Sequence, residues 1–176
     1  KGVSYCATCD GAFFKNKVAA VVGGGDVAVE DAIYLARMCS KVYLIHRRDE
    51  FRAAKSIVNK ARNTENIEFI LDSTVENIEG GAKVSSIQIK NKKTGEIIGK
   101  PVDGVFFAVG MQPVTAFVDE RIARDEAGYI VAGEDCRTNI DGVYAAGDIR
   151  TKTLRQIITA AADGANAVTS VERYIG

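Results

Sequence analysis

Short apolar runs and stretches of helical spacing alternate along the first half of the chain. An apolar run over residues 17–22 ends at Gly23-Gly24-Gly25, and the residues after this turn place their apolar side chains on one helical face. A second apolar run follows over residues 41–46. The pattern predicts a strand, helix and strand unit, and a crossover of this kind joins parallel strands.

Further elements are predicted as far as residue 110. Residues 51–62 are compatible with a helix, and residues 67–71 with a third strand. Residues 86–98 alternate in polarity around a Lys-Thr-Gly turn, which is typical of a β-hairpin. The apolar run over residues 105–109 predicts another buried strand, which ends at Gly110.

The periodic pattern breaks directly after Gly110. One of the chain's 2 prolines follows this glycine, and both residue types interrupt regular structure. We therefore predict a domain boundary here, with one domain over residues 1–112 and a second over residues 113–176. In the second domain the pattern predicts two short strands and a final helix, over residues 129–131, 142–148 and 154–174.

The composition and charge exclude several classes of protein. Of the 176 residues, 47% are hydrophobic and 26% are charged, a balance typical of folded domains rather than disordered chains. The 23 basic and 23 acidic residues cancel, so the chain as a whole has no electrostatic attraction to nucleic acid or anionic lipid. No apolar run reaches the roughly 20 residues that span a bilayer, and no signal-peptide core begins the sequence. We therefore predict a cytoplasmic protein that binds neither nucleic acid nor membrane.

The glycines between the first predicted strand and helix match the dinucleotide-binding fingerprint. Gly23, Gly25 and Ala28 take its three small-residue positions, with Gly24 and Asp26 between them. Glycines permit the tight turn and let the backbone approach a pyrophosphate, which the N-terminus of the helix receives. A glycine-rich turn that serves packing alone is the alternative.

Basic residues end the second predicted strand, where NAD-binding domains usually place an acid. Arg47 and Arg48 directly follow His46, and Arg52 comes one turn later. Because guanidinium groups bind phosphate through paired hydrogen bonds, these residues favour NADPH over NADH. The alternative is a solvated basic face paired with the acidic residues 49–50. We expect the histidine to stack or to hydrogen-bond rather than to catalyse.

Two of the 4 cysteines, Cys6 and Cys9, form a Cys-x-x-Cys pair. Such a pair near a helix start favours thiol–disulfide exchange, and Asp10 is placed to supply or remove the proton. Half of a zinc site and two incidental core cysteines are the alternatives. No metal is predicted, because Cys39 and Cys136 are isolated and the chain has a single histidine. Cys39 lies on the apolar helix face and is expected in the core.

The combination of these motifs resembles the low-molecular-weight, bacterial-type thioredoxin reductases. The likeness extends over essentially the whole chain, with the motifs in the family's order. They are Cys6-Ala7-Thr8-Cys9-Asp10-Gly11, Gly23-Gly24-Gly25, His46-Arg47-Arg48-Asp49-x-Phe51-Arg52, Gly147-Asp148 and Arg155-Gln156.

The resemblance implies an α/β fold of a defined kind. The chain would contain a Rossmann-like dinucleotide-binding domain, of the type found in flavoproteins with two such domains, and the C-terminal half of a second one. Residues 1–112 would bind NADPH and carry the dithiol. Residues 113–176 would form part of the FAD-binding domain, whose first segment is expected to precede Lys1 and is absent from this chain.

An activity and its partners are also implied. Enzymes of this family are thioredoxin-disulfide reductases, NADPH-dependent homodimers that pass electrons through FAD and the dithiol to thioredoxin. By this likeness Cys9 faces the flavin, Cys6 attacks the disulfide of thioredoxin, and Asp10 handles the proton. Gly110, near the hinge between the domains, is also an implied cofactor-binding position. In the second domain these positions are Gly147 and Asp148, with Asp148 on the ribitol side, and Arg155 and Gln156 beside the isoalloxazine.

Two other functions stay open from the sequence. The reducing component of a peroxiredoxin system shares the same core, although the Ala7-Thr8 spacer of the dithiol favours a thioredoxin reductase. A non-catalytic NADP-binding module is the alternative from a different class, because this chain would retain the pyridine-nucleotide site whether or not it binds flavin.

Overall fold

The computed structural model describes residues 1–176, which form two units, Lys1–Gly110 and Met111–Gly176. The first unit contains eight strands and three α-helices, with a short 3-10 helix over Gly11–Phe14. In chain order its elements are β1 (Val3–Ser4), α1 (Ala7–Asp10), β2 (Val18–Gly23), α2 (Asp26–Ala36), β3 (Lys41–Ile45), α3 (Lys55–Arg62), β4 (Ile67–Ile70), β5 (Ser73–Gly80), β6 (Val84–Asn91), β7 (Ile97–Pro101) and β8 (Gly104–Ala108).

Five strands of the first unit form a parallel sheet in the order β1-β8-β2-β3-β4. The predicted strand, helix and strand unit corresponds to β2, α2 and β3. Strand β2 lies at the centre, and its Ala19, Ala20 and Val21 are 0% exposed. Burial of successive residues is typical of a parallel strand covered on both faces. The predicted α/β fold is therefore confirmed.

The parallel sheet separates two apolar cores. Side chains alternate along β3, so that Val42 and Leu44 pack with helices α2 and α3, whereas Tyr43 and Ile45 belong to the core on the other face. An antiparallel sheet of order β5-β6-β7 covers that other face, with Ile87 of β6 fully buried against it. The predicted hairpin is the β6–β7 pair. The unit thus has three layers, with the parallel sheet in the middle.

Helix α3 is shorter than the pattern predicts, because it begins at Lys55 rather than at residue 51. The backbone before it is bound to the glycine turn instead. The Arg52 N–H donates to the Gly24 carbonyl over 2.8 Å, and the Ala54 N–H donates to the Asp26 carboxylate over 2.8 Å. These contacts hold the segment before α3 in a non-helical conformation beside the start of α2.

The second unit, Met111–Gly176, contains one α-helix, α4 (Ile157–Ile175). Gln156 caps its N-terminus, and the Gln156 N–H donates to the Thr159 hydroxyl over 3.1 Å as one half of a capping box. The helix therefore begins after this cap and not at residue 154. Neither α4 nor any other helix of the chain has the length and apolar character required to cross a membrane.

The two strands predicted in this unit, over residues 129–131 and 142–148, do not form. These residues make isolated bridges, one of which joins Tyr144 to Arg137, and Gly147–Ile149 forms a 3-10 turn. A strand needs a neighbouring strand that exchanges hydrogen bonds with it over several residues. Both predictions are wrong because both sheets of the chain lie in the first unit and none is present here.

A buried ion pair between Arg150 and Asp163 holds α4 in place within the second unit. Arg150 is 1% exposed and Asp163 is 3% exposed, and the Arg150 Nη2 lies 2.7 Å from the Asp163 Oδ1. Lys152 and the Gly147 N–H also donate to this carboxylate. The Arg150 hydrogen bonds outweigh the effect of burial and, with these other donors, hold the pKa of Asp163 far below its ordinary range.

Candidate functional site

A cleft of about 270 Å³ lies at the carboxyl edge of the parallel sheet, where strands β2, β3 and β8 end. We call it the edge cleft. Ligands of open parallel sheets bind beyond the carboxyl ends of the strands, where crossovers to opposite sides leave a crevice. Among the predicted site residues, those that line the edge cleft are Gly23, Gly24, His46, Arg47 and Arg52.

The three glycines of the turn are required for different reasons. A methyl group on Gly23 would meet the Ala108 carbonyl oxygen, and one on Gly24 would meet the His46 ring. Packing therefore accounts for both of these glycines. A methyl group on Gly25 would have no neighbour within 4 Å, so packing does not account for it. An open position at the N-terminus of α2 leaves room for a ligand to approach the backbone.

His46 lines the edge cleft and lies against Gly24. Its ring stacks on Phe51 with centroids 5.2 Å apart, and its Nε2 lies 3.1 Å from the Glu50 carbonyl oxygen, to which it donates. Burial lowers the pKa of His46, and the nearby arginines lower it further. The neutral ring is thus a packing and hydrogen-bonding group beneath the glycine turn.

The three predicted phosphate-binding arginines have no acidic partner within the chain. Arg47, Arg48 and Arg52 are all exposed, and none of them takes part in an ion pair. Of the two acidic candidates for pairing with them, Asp49 contacts Lys93 instead over 3.2 Å, and Glu50 forms no ion pair. Guanidinium groups without carboxylate partners, two of which line the edge cleft, are suited to bind an anion.

The dithiol lies at the same edge of the sheet. Strand β1 runs parallel to β8, and Cys6 follows its carboxyl end as the N-cap of α1. Cys6 and Cys9 form a disulfide, with their Cα atoms 5.3 Å apart. The Cys9 N–H donates to the Cys6 Sγ over 3.2 Å, and a donor in this position also stabilises a thiolate. Cys39 is buried in the core, as expected.

Ser4 is a further candidate site residue, which the sequence pattern did not reveal. It is 5% exposed, and its hydroxyl donates to the Asp10 carboxylate over 2.6 Å while it accepts from the Cys6 N–H over 3.1 Å. One hydroxyl thus joins the first cysteine to the acid that follows the second. The only sign in the sequence is a serine in the short segment before the dithiol.

The predicted site residues of the second unit lie near one another. The Arg155 guanidinium lies 3.8 Å from the centre of the Tyr129 ring, and its Nε donates to the Asp148 carbonyl over 3.2 Å. Gly147 adopts a φ of 82°, in the left-handed region that favours glycine. Gln156 caps α4.

Three predicted positions lie apart from these groups. Gly110 has a φ of 100° and follows β8 outside the residues that line the edge cleft. The Asp26 carboxylate accepts from the Ala54 N–H and so holds the segment before α3. Arg48 is not among the residues that line the edge cleft.

A parallel sheet with a glycine turn and a Cys-x-x-Cys disulfide at one edge defines a class of redox protein. Residues 1–164 match the pyridine nucleotide-disulphide oxidoreductase family, and the chain belongs to it. Membership implies a nicotinamide cofactor and a flavin cofactor.

Individual relatives indicate which members of this family the chain resembles. The chain is 50% identical to a thioredoxin reductase of Listeria innocua over 177 residues, which cover 99% of this chain and 55% of the relative. It is 46% identical to that of Peptoclostridium litorale over 181 residues, with 99% and 58% covered. A thioredoxin reductase structure from Streptococcus pyogenes matches with a TM-score of 0.93 and 48% identity, with 99% and 57% covered. The resemblance to thioredoxin reductases is confirmed, and the chain spans little more than half the length of these relatives.

Proposed function

We propose that this chain is the greater part of an NADPH-dependent flavoprotein that reduces the disulfide of thioredoxin. The observation that carries the proposal is that one edge of one sheet holds both the edge cleft, with its unpaired arginines, and the Cys6–Cys9 disulfide. Residues 1–112 would form the NADPH-binding domain and residues 113–176 a segment of the FAD-binding domain. A homodimer and a cytoplasmic location stay predictions.

The edge cleft and the start of α2 beside it have the position and charge expected of an NADPH site. The N–H groups at the start of α2 would receive the pyrophosphate, and the open position beside Gly25 would let it approach the backbone. Arg47, Arg48 and Arg52 would bind the 2′-phosphate through charge-assisted hydrogen bonds. NADH lacks this phosphate, so the three cations would favour NADPH.

The second unit has residues suited to a flavin. A groove of about 260 Å³ lies among Tyr129, Asp148 and Arg155 and is lined mostly by apolar groups. FAD, when bound, would supply the carrier that takes two electrons from NADPH and delivers them to the disulfide. The residues proposed to hold it are Gly147, Asp148, Arg155 and Gln156.

The reduced dithiol would then reduce thioredoxin by thiol–disulfide exchange. The Cys6 thiolate attacks one sulfur of the thioredoxin disulfide, whose S–S bond breaks to release a thiolate. The Cys9 thiolate next attacks the Cys6 sulfur, which releases thioredoxin and forms the Cys6–Cys9 bond again. Two electrons and two protons pass to thioredoxin, and Asp10, oriented by Ser4, would transfer a proton. The Cys9 N–H would stabilise the attacking thiolate.

Nucleotide selectivity tests the first half of the proposal. Isothermal titration of the 176-residue chain with NADP⁺ and NAD⁺ should give tighter binding of NADP⁺ by at least about tenfold, the effect of one charge-assisted contact. Arg47→Ala should remove most of this difference and leave NAD⁺ binding unchanged. Equal affinities for the two nucleotides in the unmodified chain would contradict the assignment of the arginines.

A trapped mixed disulfide tests the second half. A thioredoxin with one active-site cysteine, activated as its thionitrobenzoate disulfide, should react with the Cys9→Ser variant, whose Cys6 thiolate displaces the coloured thionitrobenzoate and stays linked to thioredoxin. The Cys6→Ser variant is the matched control and should react much more slowly. Faster reaction of the control would assign the attacking role to Cys9, and the same experiment with a peroxiredoxin tests the alternative partner.

A further inference from the structure

A lysine of the antiparallel sheet reaches the loop that carries the arginines. Lys93 lies in the turn between β6 and β7, and its Nζ is 3.2 Å from the Asp49 Oδ2. The same Nζ is 2.9 Å from the Asp72 Oδ2. One cation therefore bridges two carboxylates, and one of them directly follows Arg48 in the sequence.

Backbone hydrogen bonds hold these groups in register. The Asp72 N–H donates to the Arg48 carbonyl over 3.1 Å, and the Lys92 N–H donates to the Asp72 carbonyl over 2.6 Å. Asp72 has a φ of 52°, in the left-handed region that few residues other than glycine adopt. Asp72, in the segment before β5, thus joins the loop that carries the arginines to the β6–β7 turn.

The position of Asp49 creates an electrostatic problem for a phosphate site. A carboxylate beside Arg47 and Arg48 can pair with a guanidinium group or repel a bound phosphate, and either effect weakens anion binding. Because Asp49 contacts Lys93, it does not pair with a guanidinium group. The positive charge of Lys93 also offsets the repulsion between Asp49 and a bound phosphate. Hydrogen bonding to Lys93 lowers the pKa of Asp49, and the two carboxylates raise the pKa of Lys93, so the charges of the bridge persist at neutral pH.

We propose that Lys93 is a specificity-determining residue for the 2′-phosphate, which acts by engaging Asp49 so that Arg47 and Arg48 stay available to the nucleotide, while Asp72 holds the same ammonium group in place. Lys93 is a positioning residue in this role and does not itself contact the phosphate. This inference rests on the proposed function, because it concerns the same nucleotide site. It adds that the antiparallel sheet contributes to the choice between NADPH and NADH.

Titration of the 176-residue chain with NADP⁺ and NAD⁺ tests the inference. Lys93→Gln should weaken NADP⁺ binding about fivefold, as expected when an exposed ion pair next to the site is lost, and should change NAD⁺ binding less than about twofold. Lys92→Gln is the matched control. It removes the same charge from the adjacent residue, whose side chain is exposed and forms no ion pair, and should leave both affinities within about twofold.

The double variant Asp49→Asn with Lys93→Gln separates the proposed role from direct contact. If Lys93 acts through Asp49, removing both charges should restore NADP⁺ affinity to within about twofold of the unmodified chain. An unrestored affinity would assign Lys93 a direct contact and overturn the inference, as would equal losses in the Lys92 and Lys93 variants. If the unmodified chain itself shows no preference for NADP⁺, the proposed function fails as well, which distinguishes the two failures.

Discussion

At the scale of single residues, neighbouring glycines of one motif differ in what a side chain at their position would meet. Gly24 lies against the His46 ring, so any side chain at this position would displace a buried group. Gly25 has a φ of −93°, which all residues adopt, and faces open space. Packing therefore does not explain its lack of a side chain, which the proposed role in nucleotide binding would explain.

Alanine at these two positions should separate stability from binding. Gly24→Ala should lower the free energy of unfolding by about 1–3 kcal/mol, because the added methyl group overpacks the turn. Gly25→Ala should lower it by less than about 1 kcal/mol, the difference between glycine and alanine as an N-cap, but should weaken NADP⁺ binding by about tenfold. Urea unfolding and isothermal titration measure the two effects. Equal loss of stability in both variants, or unchanged NADP⁺ binding in Gly25→Ala, would contradict this division.

Ser4 gives the dithiol an anchor in the sheet. Its backbone belongs to β1, which pairs with β8, and its hydroxyl binds both the Asp10 carboxylate and the Cys6 N–H. The residues around the disulfide are thereby fixed to the same rigid sheet that forms the edge cleft. A reactive group positioned from a sheet is held more accurately than one on a free loop.

At the scale of elements, α4 depends on a charge rather than on apolar packing. Its Asp163 is buried with Arg150, while Ile157 and Ile158 at its start are 91% and 78% exposed. Removing one partner of a buried pair leaves the other charge without compensation, which costs more than the pair contributes. The second unit is therefore sensitive to the state of one carboxyl group.

Asp163→Asn should lower the free energy of unfolding by about 3 kcal/mol near neutral pH. Because the folded pKa of Asp163 lies below its unfolded value of 3.8, the carboxylate stabilises the fold above about that pH, and this contribution is lost as the pH falls further. Urea unfolding at neutral and acidic pH should show the variant and the unmodified chain converging. Glu134→Gln is the matched control, because Glu134 also contacts Arg150 but its side chain is 86% exposed; an equal effect there would refute the role of burial.

At the scale of the whole molecule, the two units are stabilised differently. The first has apolar cores on both faces of its parallel sheet, whereas the second combines a small apolar cluster with a buried ion pair. The pKa values of acidic groups in the two units are also shifted in opposite directions. Burial and then the Glu30 charge raise the pKa of Asp31 on α2 to about 6, whereas the pKa of Asp163 is lowered.

Asp31 should make the free energy of unfolding fall as the pH rises above the unfolded pKa of this carboxyl group. A folded pKa of about 6 against 3.8 unfolded means that the folded state binds the proton more tightly, so stability falls as the pH rises between these values. Asp31→Asn should flatten this part of the profile and add up to about 3 kcal/mol of stability near neutral pH. Urea midpoints at several pH values measure it. Glu30→Gln, which removes only the smaller cause, should have a weaker effect, and unchanged slopes in Asp31→Asn would contradict the assignment.

Local spacing was enough to predict much of the first unit and its candidate site. The β2, α2 and β3 unit and the β6–β7 hairpin repeat apolar residues with the period of their own element, so a few adjacent residues specify each of them. The same holds for the Cys-x-x-Cys pair and for the glycine turn, whose members are close in sequence.

Contacts between distant residues, and the absence of contacts, were decided only by the tertiary structure. Asp49 and Lys93 are 44 residues apart and Arg150 and Asp163 are 13 apart, so no local period relates either pair. The apolar run over residues 142–148 resembles a strand in sequence, yet the second unit contains no sheet to pair with it. A periodic pattern determines which face of a segment is apolar, whereas packing determines which groups meet that face and which charges lie within reach of one another.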